Sequence, residues 1–253
     1  MLDNIITGDG SRTLYCESVG EHYHSTKDGA LSEALYKHVL PAWKYRIEGR
    51  KKITVLDICF GLGYNTFALI WYLSQQKYTG HLRILSPEHD RALLSSLIDF
   101  SYPDEFRELE PIIRAVAENL RYESPDLLIE IFTVDARSWL AQFAGPVDIV
   151  FHDPFSPSNN HQLWTREYFA QLKRAGASDL LVTTYSTATA VRMGLFENDF
   201  HIYENRPEAL VRSATLASLT PLPLTEIDMQ LKQQRNPAAA SLRDNCAGKA
   251  LYP

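Results

Sequence analysis

Apolar residues along the chain fall into short runs of strand length, separated by stretches with helical spacing. The first run covers residues 53–58 and reads Ile-Thr-Val-Leu-Asp-Ile. Further runs cover residues 82–86, 127–134, 147–152 and 180–185, and two more follow at 201–204 and 211–218. Nearly continuous apolar runs of this length mark strands covered on both faces. Between them the spacing predicts helices. Phe67, Ile70, Trp71 and Tyr72 define one over residues 63–76, two segments broken around Tyr102-Pro103 fill residues 91–122, and others cover 164–173 and 187–196. Ahead of the first strand, Leu31, Leu35, Val39 and Leu40 keep helical spacing, with Pro41 as a stop or kink. Strand and helix alternate until the last two runs, which are neighbours without a helix between them. That order predicts an α/β, Rossmann-like fold, with a seven-stranded, mostly parallel sheet ending in an antiparallel hairpin. Residues 51–220 make up this domain. An arm and helix over 1–50 precede it, and a tail over 221–253, read as a helix plus an irregular end, follows.

The first run leads into Cys59-Phe60-Gly61-Leu62-Gly63-Tyr64-Asn65, which reads as a buried strand turning sharply into a helix. Gly61 and Gly63 free the backbone to take unusual angles and let a ligand lie against it. The helix beyond points its free amides at the occupant of the loop. Thr66 stands where a dinucleotide fingerprint needs its third glycine, and no Gly-Lys-Ser/Thr follows as in a P-loop. An acid before the loop, Asp57, fits instead the S-adenosylmethionine version of the doubly wound fold. The plainer alternative is an ordinary strand-to-helix turn. More acids stand at the ends of later runs: Glu88 after the second, Asp135 after the third and Asp153 after the fourth. Ligands of such sheets bind at the carboxyl ends of the strands, where an acid after the second strand can accept the ribose hydroxyls. Glu88 is preferred to Asp90 for that role, because Asp90 suits a helix cap.

Composition narrows the function classes. The 253 residues are 45% hydrophobic, enough for a full core. No apolar run approaches membrane-spanning length and no signal peptide is evident, so the cytoplasm is expected. Cys16, Cys59 and Cys246 are odd in number and widely spaced, which disfavours disulfides and zinc and reads as free thiols; no metal is expected. A net charge of −6 and a pI of about 5.8 do not advertise a nucleic-acid binder, so an RNA partner must meet a local basic patch. The candidates are Lys44, Arg46, Arg50, Lys51 and Lys52, and later Arg206 and Arg212, although taken alone such residues are more often solvated helix ends. The arm carries aromatic residues and reads as an ordered hairpin, with His22 and His24 on one face if it is extended. Glu33 falls in a first helical turn, where the helix dipole favours a carboxylate.

Taken together, Leu56-Asp-Ile-Cys-Phe-Gly-Leu-Gly-Tyr-Asn65, Asp153-Pro-Phe-Ser-Pro157, Leu163-Trp164 and residues 185–195 resemble the MnmC-like tRNA methyltransferases. The similarity runs from about Thr13 to Asp244 and includes Tyr23-His-Ser25, Gly29-Ala-Leu-Ser-Glu33 and Arg212-Ser-Ala-Thr-Leu-Ala-Ser218. It implies a class I S-adenosylmethionine-dependent methyltransferase acting on the 5-aminomethyl group of the tRNA wobble uridine. The form implied is the one without an FAD oxidase domain, so separate enzymes would supply the aminomethyl precursor. By that resemblance Asp57, Gly61, Gly63, Asn65, Glu88 and Asp135 bind the cofactor, with Asp135 on the adenine side and Glu33 near the methionine end. The resemblance also sets Asp153 beside the methyl acceptor; the displacement chemistry that fits has Phe155 packing on the uracil, and the local basic patches suggest Lys51, Lys52 and Arg212 for the tRNA surface. The chain departs from the family at Cys59, where glycine is usual, at Pro87 before Glu88, and at residues 206–212, where a glycine- and lysine-rich stretch is common. Two rival readings remain: a polyamine aminopropyltransferase, and a degenerate fold that binds RNA or a protein partner without catalysis.

Overall fold

The computed structural model describes residues 4–207, 209, 211–236 and 239–246; of Cys246 only the backbone is described, and the end of the tail lies outside this range. The sheet is built from β1 (Lys52–Ile58), β2 (His81–Pro87), β3 (Arg121–Glu123), β4 (Leu127–Phe132), β5 (Val147–His152), β6 (Gly176–Thr184), β7 (His201–Asn205) and β8 (Ala214–Ser218). Their order is β7-β8-β6-β5-β1-β2-β4-β3. The five central strands β6, β5, β1, β2 and β4 are parallel, with Val55 opposite Ile149 and Leu56 opposite Leu85. β8 runs antiparallel between β6 and β7, which gives the expected terminal hairpin.

Both faces are covered, and this is why the central strands read as continuous apolar runs. On β1, Ile53 and Val55 enter one core and Leu56 and Ile58 the other. The first core is closed by a helical run over residues 30–47 and by α2 (Tyr64–Gln75), α3 (Arg91–Ser96) and α4 (Glu110–Asn119), the run over 30–47 being counted as α1. The second is closed by α5 (Ala136–Gln142), α6 (Arg166–Ala175), α7 (Thr189–Phe196) and α8 (Met229–Arg235). Each large aliphatic side chain fully buried here contributes about 1.5–3 kcal/mol.

Two expectations need correction. The sheet has eight strands, because β3 pairs antiparallel with β4 at the edge. Arg121-Tyr122-Glu123 has no apolar run to announce a strand. It forms because Leu120 ends α4 in a left-handed conformation (φ 59°) and because Arg121 donates to Glu130 on β4 at 2.8 Å. Pro41, in turn, does not end its helix. The run over 30–47 passes through it, with wider π turns over Ala34–Val39 and Trp43–Ile47 on either side of the short α segment Leu40–Ala42 that holds the proline. Such one-residue slips of the helical ladder are a recognised way of accommodating a missing N–H.

The arm folds as two short antiparallel ladders, Ile5–Ile6 with Arg12–Thr13 and Tyr15–Cys16 with Glu21–His22. The turn after β1 is tightly packed. Gly63 caps α2 at φ 74°, and a Cβ there would lie 2.5 Å from the Phe67 ring and 2.8 Å from Phe60. Both rings are buried and have nowhere to go. Gly63→Ala is therefore expected to lower stability by about 1–3 kcal/mol, read as a reduced denaturation midpoint at unchanged slope.

Candidate active site

The order of the parallel strands reverses between β1 and β5, which stay paired as far as Ile58 and His152, and a cavity of about 900 Å³ opens over the carboxyl ends of the sheet. This is the crevice where open α/β sheets bind ligands. Every acid expected at a strand end, Glu88, Asp135 and Asp153, lines it, together with Glu33, Gly61 and Asn65. Asp57 lies just beneath, fully buried.

The loop after β1 approaches the cavity with its backbone. Gly61 sits at φ 56°, and a Cβ on it would come 3.3 Å from the Tyr23 ring. Its amide donates to Glu88 Oε2 at 3.0 Å, while Glu88 Oε1 accepts the Asp90 amide at 2.9 Å. Asp90 accepts the Leu93 amide at 2.9 Å and so caps α3, the role that spacing suggested. Asp135 also caps a helix, accepting the Ser138 amide of α5 at 2.8 Å, and borders the cavity from there. Asp57 Oδ2 accepts from Thr66 Oγ1 at 2.7 Å, whereas Asp57 Oδ1 and Asn65 Oδ1 are buried without a hydrogen-bond partner. Two left-handed glycines, a buried carboxylate and unmatched acceptors beside an acid at the second strand end fit S-adenosylmethionine. Its amino group suits the acid-lined cavity floor, its ribose hydroxyls can donate to Glu88, and it has no phosphate that would need the absent P-loop. Cys59 holds φ 64°, a conformation in which glycine is unstrained, so the family's usual glycine at this place has a backbone reason. Pro87 ends β2, and the ladder resumes beyond it with the Glu88 amide donating to Phe132 O at 2.9 Å.

The other half of the cavity centres on Asp153, whose side chain is only 8% exposed. Asn65 Nδ2 donates to Asp153 Oδ2 at 2.8 Å, and His38 Nε2 lies 3.9 Å from Oδ1. Burial, reinforced by the nearby Glu33 carboxylate, pushes the Asp153 carboxyl well above the ordinary range. Glu33 accepts from Lys37 Nζ at 2.7 Å and from the Ser25 amide at 2.8 Å. Lys37, itself buried, also donates to Asp28 at 2.9 Å, and Asp28 accepts from Arg212 Nε at 3.0 Å. A chain of alternating charges thus runs from the cavity floor to Arg212 at its rim.

Phe155 packs against Tyr23 with ring centroids 5.2 Å apart. The loop carrying it is fixed by Trp164 Nε1 donating to Phe155 O at 2.8 Å and Tyr185 OH donating to Pro154 O at 3.0 Å. The arm is tied to the same loop through Glu21, which accepts from the Ser156 amide and hydroxyl and from Asn159. His22 and His24 both border the cavity but divide their roles: His22 lies against Tyr15 at the rim, and His24 is buried against Tyr64.

Lys51 and Lys52 are not part of this assembly. They stand at the amino end of β1, the opposite edge of the sheet, which a seven-residue strand at roughly 3.3 Å per residue puts about 20 Å away. Of the three cations expected to meet substrate, only Arg212 reaches the cavity. Sequence reasoning did not single out Glu21, Lys37, His38 or Tyr185. Lys37 had a signal in its i,i+4 spacing from Glu33, but the others meet the site only through tertiary packing. Among the described residues no group of three or more His, Cys, Asp or Glu side chains is placed to hold a metal ion, and no helix is long and apolar enough to cross a membrane.

Residues 107–220 match the model of a family of S-adenosyl-L-methionine-dependent methyltransferases. The crystal structure of MnmC2 from Aquifex aeolicus superposes with a TM-score of 0.84 at 32% identity, covering 99% of this chain and 81% of that one. An uncharacterized protein of Methanocaldococcus jannaschii is 29% identical over 85% of this chain and 59% of its own length. The tRNA 5-methylaminomethyl-2-thiouridine biosynthesis bifunctional protein MnmC of Azoarcus sp. is 30% identical over 75% of this chain. The matched part is 31% of that protein, and the chain spans less than two thirds of the length of each of these two relatives.

The buried acid of β1 makes stability pH-dependent. Burial raises the Asp57 carboxyl from its ordinary 3.8 to about 7, so the native state keeps a proton that the unfolded chain releases near pH 4. Between these values the folded protein binds more protons, and this contribution to stability falls as pH rises from about 4 to about 7 and is level above. Asp57→Asn is expected to remove it. In ligand-free thermal melts, the midpoint of the variant minus that of the parent should climb across that window and then stay constant.

Proposed function

Because the chain belongs to the MnmC-like S-adenosylmethionine-dependent methyltransferases, we propose that it methylates the primary amine of 5-aminomethyluridine at the tRNA wobble position. Membership of that family displaces both the aminopropyl-transfer reading and the non-catalytic one. The substrate reading draws on the name of the Azoarcus relative and rests on one observation: Asp153, buried at the end of β5 and held by Asn65, in a cavity with Glu33 close by.

The cofactor supplies an electrophilic methyl group on a positively charged sulfur. Glu88, Asp57, Asn65 and the Gly61–Gly63 backbone would hold it, with Asp135 on the adenine side and Glu33 toward the methionine end. What remains for the protein is to deliver a neutral amine in line with that methyl group. A primary amine is mostly protonated in neutral water, and its ammonium form has no lone pair to attack with. Asp153 attracts the ammonium into the cavity and takes up its proton. Its raised proton affinity suits it to this, since a donor and acceptor exchange a proton most effectively when their pKa values approach each other. Methyl transfer to the freed lone pair would form the N–C bond, break the S–C bond and leave a neutral thioether and a secondary ammonium, whose remaining extra proton would pass to water. Phe155, braced by Tyr23, offers a ring face for the uracil. The wobble base enters from the rim, where Arg212 stands; Lys51 and Lys52 could touch tRNA only on the far side of the domain.

Two substitutions divide binding from chemistry. Glu88→Ala removes charge-assisted hydrogen bonds worth about 1.5–3 kcal/mol each, so S-adenosylmethionine affinity measured by calorimetry should drop about tenfold or more. An unchanged dissociation constant in the folded variant would take Glu88 out of the cofactor site.

Asp153→Ala should slow single-turnover methylation of aminomethylated tRNA by roughly a hundredfold while cofactor affinity stays close to that of the parent. If Asp153 does no more than cap the turn before Pro154, the variant will melt earlier yet turn over normally.

A further inference from the structure

Behind Asp153, on the side away from the cavity, stands a histidine that the proposed reaction has not used. His38 is completely buried, and it lies in the π turn Ala34–Val39, where the slipped ladder changes which side chains face the sheet. Its Nδ1 is pinned to Thr183 Oγ1 on β6 at 2.7 Å. The ring packs edge-on against Phe151 of β5 with centroids 5.5 Å apart. These contacts fix the plane of the imidazole and aim Nε2 at Asp153 Oδ1, 3.9 Å away. Nε2 has no hydrogen-bond partner. A buried, unmatched ring nitrogen that faces a buried carboxyl oxygen across one short gap is an unfinished contact, because an unpaired buried polar atom is unfavourable. Distances between catalytic groups are commonly long before substrate is bound and tighten in the complex.

We propose that His38 is a positioning residue for Asp153: its Nε2–H holds Oδ1 from behind while Asn65 holds Oδ2, so that the carboxyl group presents a free lone pair to the substrate amine. This rests on the reading that Asp153 receives the amine's proton. Thr183, whose hydroxyl can accept or donate, supports this tautomer by donating to Nδ1. The charge state of the ring matters as much as its geometry. Burial, together with the nearby Lys37, His24 and His152, holds His38 well below its ordinary pKa, so it remains neutral. A neutral donor orients the carboxylate without adding the full positive charge that would strip Asp153 of its proton affinity. An arginine or lysine in this place would give a well-held but feeble base. The other groups facing Asp153 are Glu33 and Lys37 from α1, Asn65 from α2, Asp57 from β1, and Cys59 and Tyr185 just past the ends of β1 and β6, and all are present alike in parent and variants.

The test uses His38→Asn, which keeps a group at the Nδ1 position for Thr183 but nothing at Nε2, and His38→Gln, whose amide reaches the Nε2 position. The Asp153 carboxyl is followed by carbon-13 NMR across a pH titration of the cofactor-free protein, its resonance identified by its loss in Asp153→Asn. Single-turnover methylation is measured beside it across pH. In His38→Asn the carboxyl should titrate at higher pH than in the parent. The acidic limb of the rate profile should move the same way, with the rate about tenfold lower and cofactor affinity unchanged. His38→Gln should restore both. Thr183→Val, which leaves His38 in place but unpins it, should shift both in the same direction by less. If His38→Asn leaves the titration and the rate profile where they were, or if Gln behaves as Asn does, the proposal is overturned. A titration that shifts as expected in a protein whose parent form fails to methylate aminomethylated tRNA supports the role of His38 and removes the substrate reading instead.

Discussion

Carboxylates crowded into a desolvated space repel one another, and the whole cavity is arranged around that fact. Asp57, Glu88 and Glu33 are buried near one another and near the Asp153 side chain, which is almost as well covered, with Lys37 as the buried cation beside them. An acid in this setting either finds donors or keeps its proton. Glu88 takes two backbone amides, and Glu33 takes an ammonium and an amide. Asp57 and Asp153 are left with fewer donors, and their carboxyls are pushed upward. A site short of positive charge is complementary to cationic guests. Both proposed guests are cations, a sulfonium that also carries an amino group and an ammonium that must become an amine. Methyl transfer would discharge the sulfonium and so loosen the electrostatic hold on the spent cofactor.

The helical run over 30–47 and the arm before it couple this electrostatics to the scaffold. One segment supplies Glu33, Lys37 and His38, which face the cavity, its salt-bridge relay and the rear of Asp153 in turn. The arm brings Tyr23 over Gly61 and Phe155, and its Glu21 grips the loop that follows β5. Local backbone and distant side chains therefore constrain each other. The left-handed turn of Gly61 leaves room for Tyr23, and Tyr23 in turn gives Phe155 a neighbour.

Much of this was legible before any coordinates, and the reasons are physical. Strands buried on two faces must be apolar throughout, so five parallel strands announced themselves, and the acids that end them stood out against that background. Glycines needed for positive φ are equally visible. What escaped notice lacked a local signature. β3 is polar and three residues long, and its pairing is decided by Leu120 and Glu130 rather than by its own side chains. Glu21 and His38 are ordinary residues until folding sets them against Ser156 and Asp153. Lys51 and Lys52 lie away from the cavity, and sequence could not tell this, because a cluster of cations carries no information about which end of a strand it occupies.

The short third strand has a bearing on how the molecule coexists with its own copies. Without it, β4 would present Leu-Leu-Ile-Glu-Ile-Phe along an open edge, an apolar ladder with unpaired amides that invites another chain to add itself. β3 occupies that edge and offers instead a ribbon too short to template a new strand, its exposed Arg121 side chain paired with both Glu123 and Glu130. A segment irrelevant to methyl transfer thus guards the sheet against edge-to-edge aggregation, and its charges are the cheapest place for that protection to be lost.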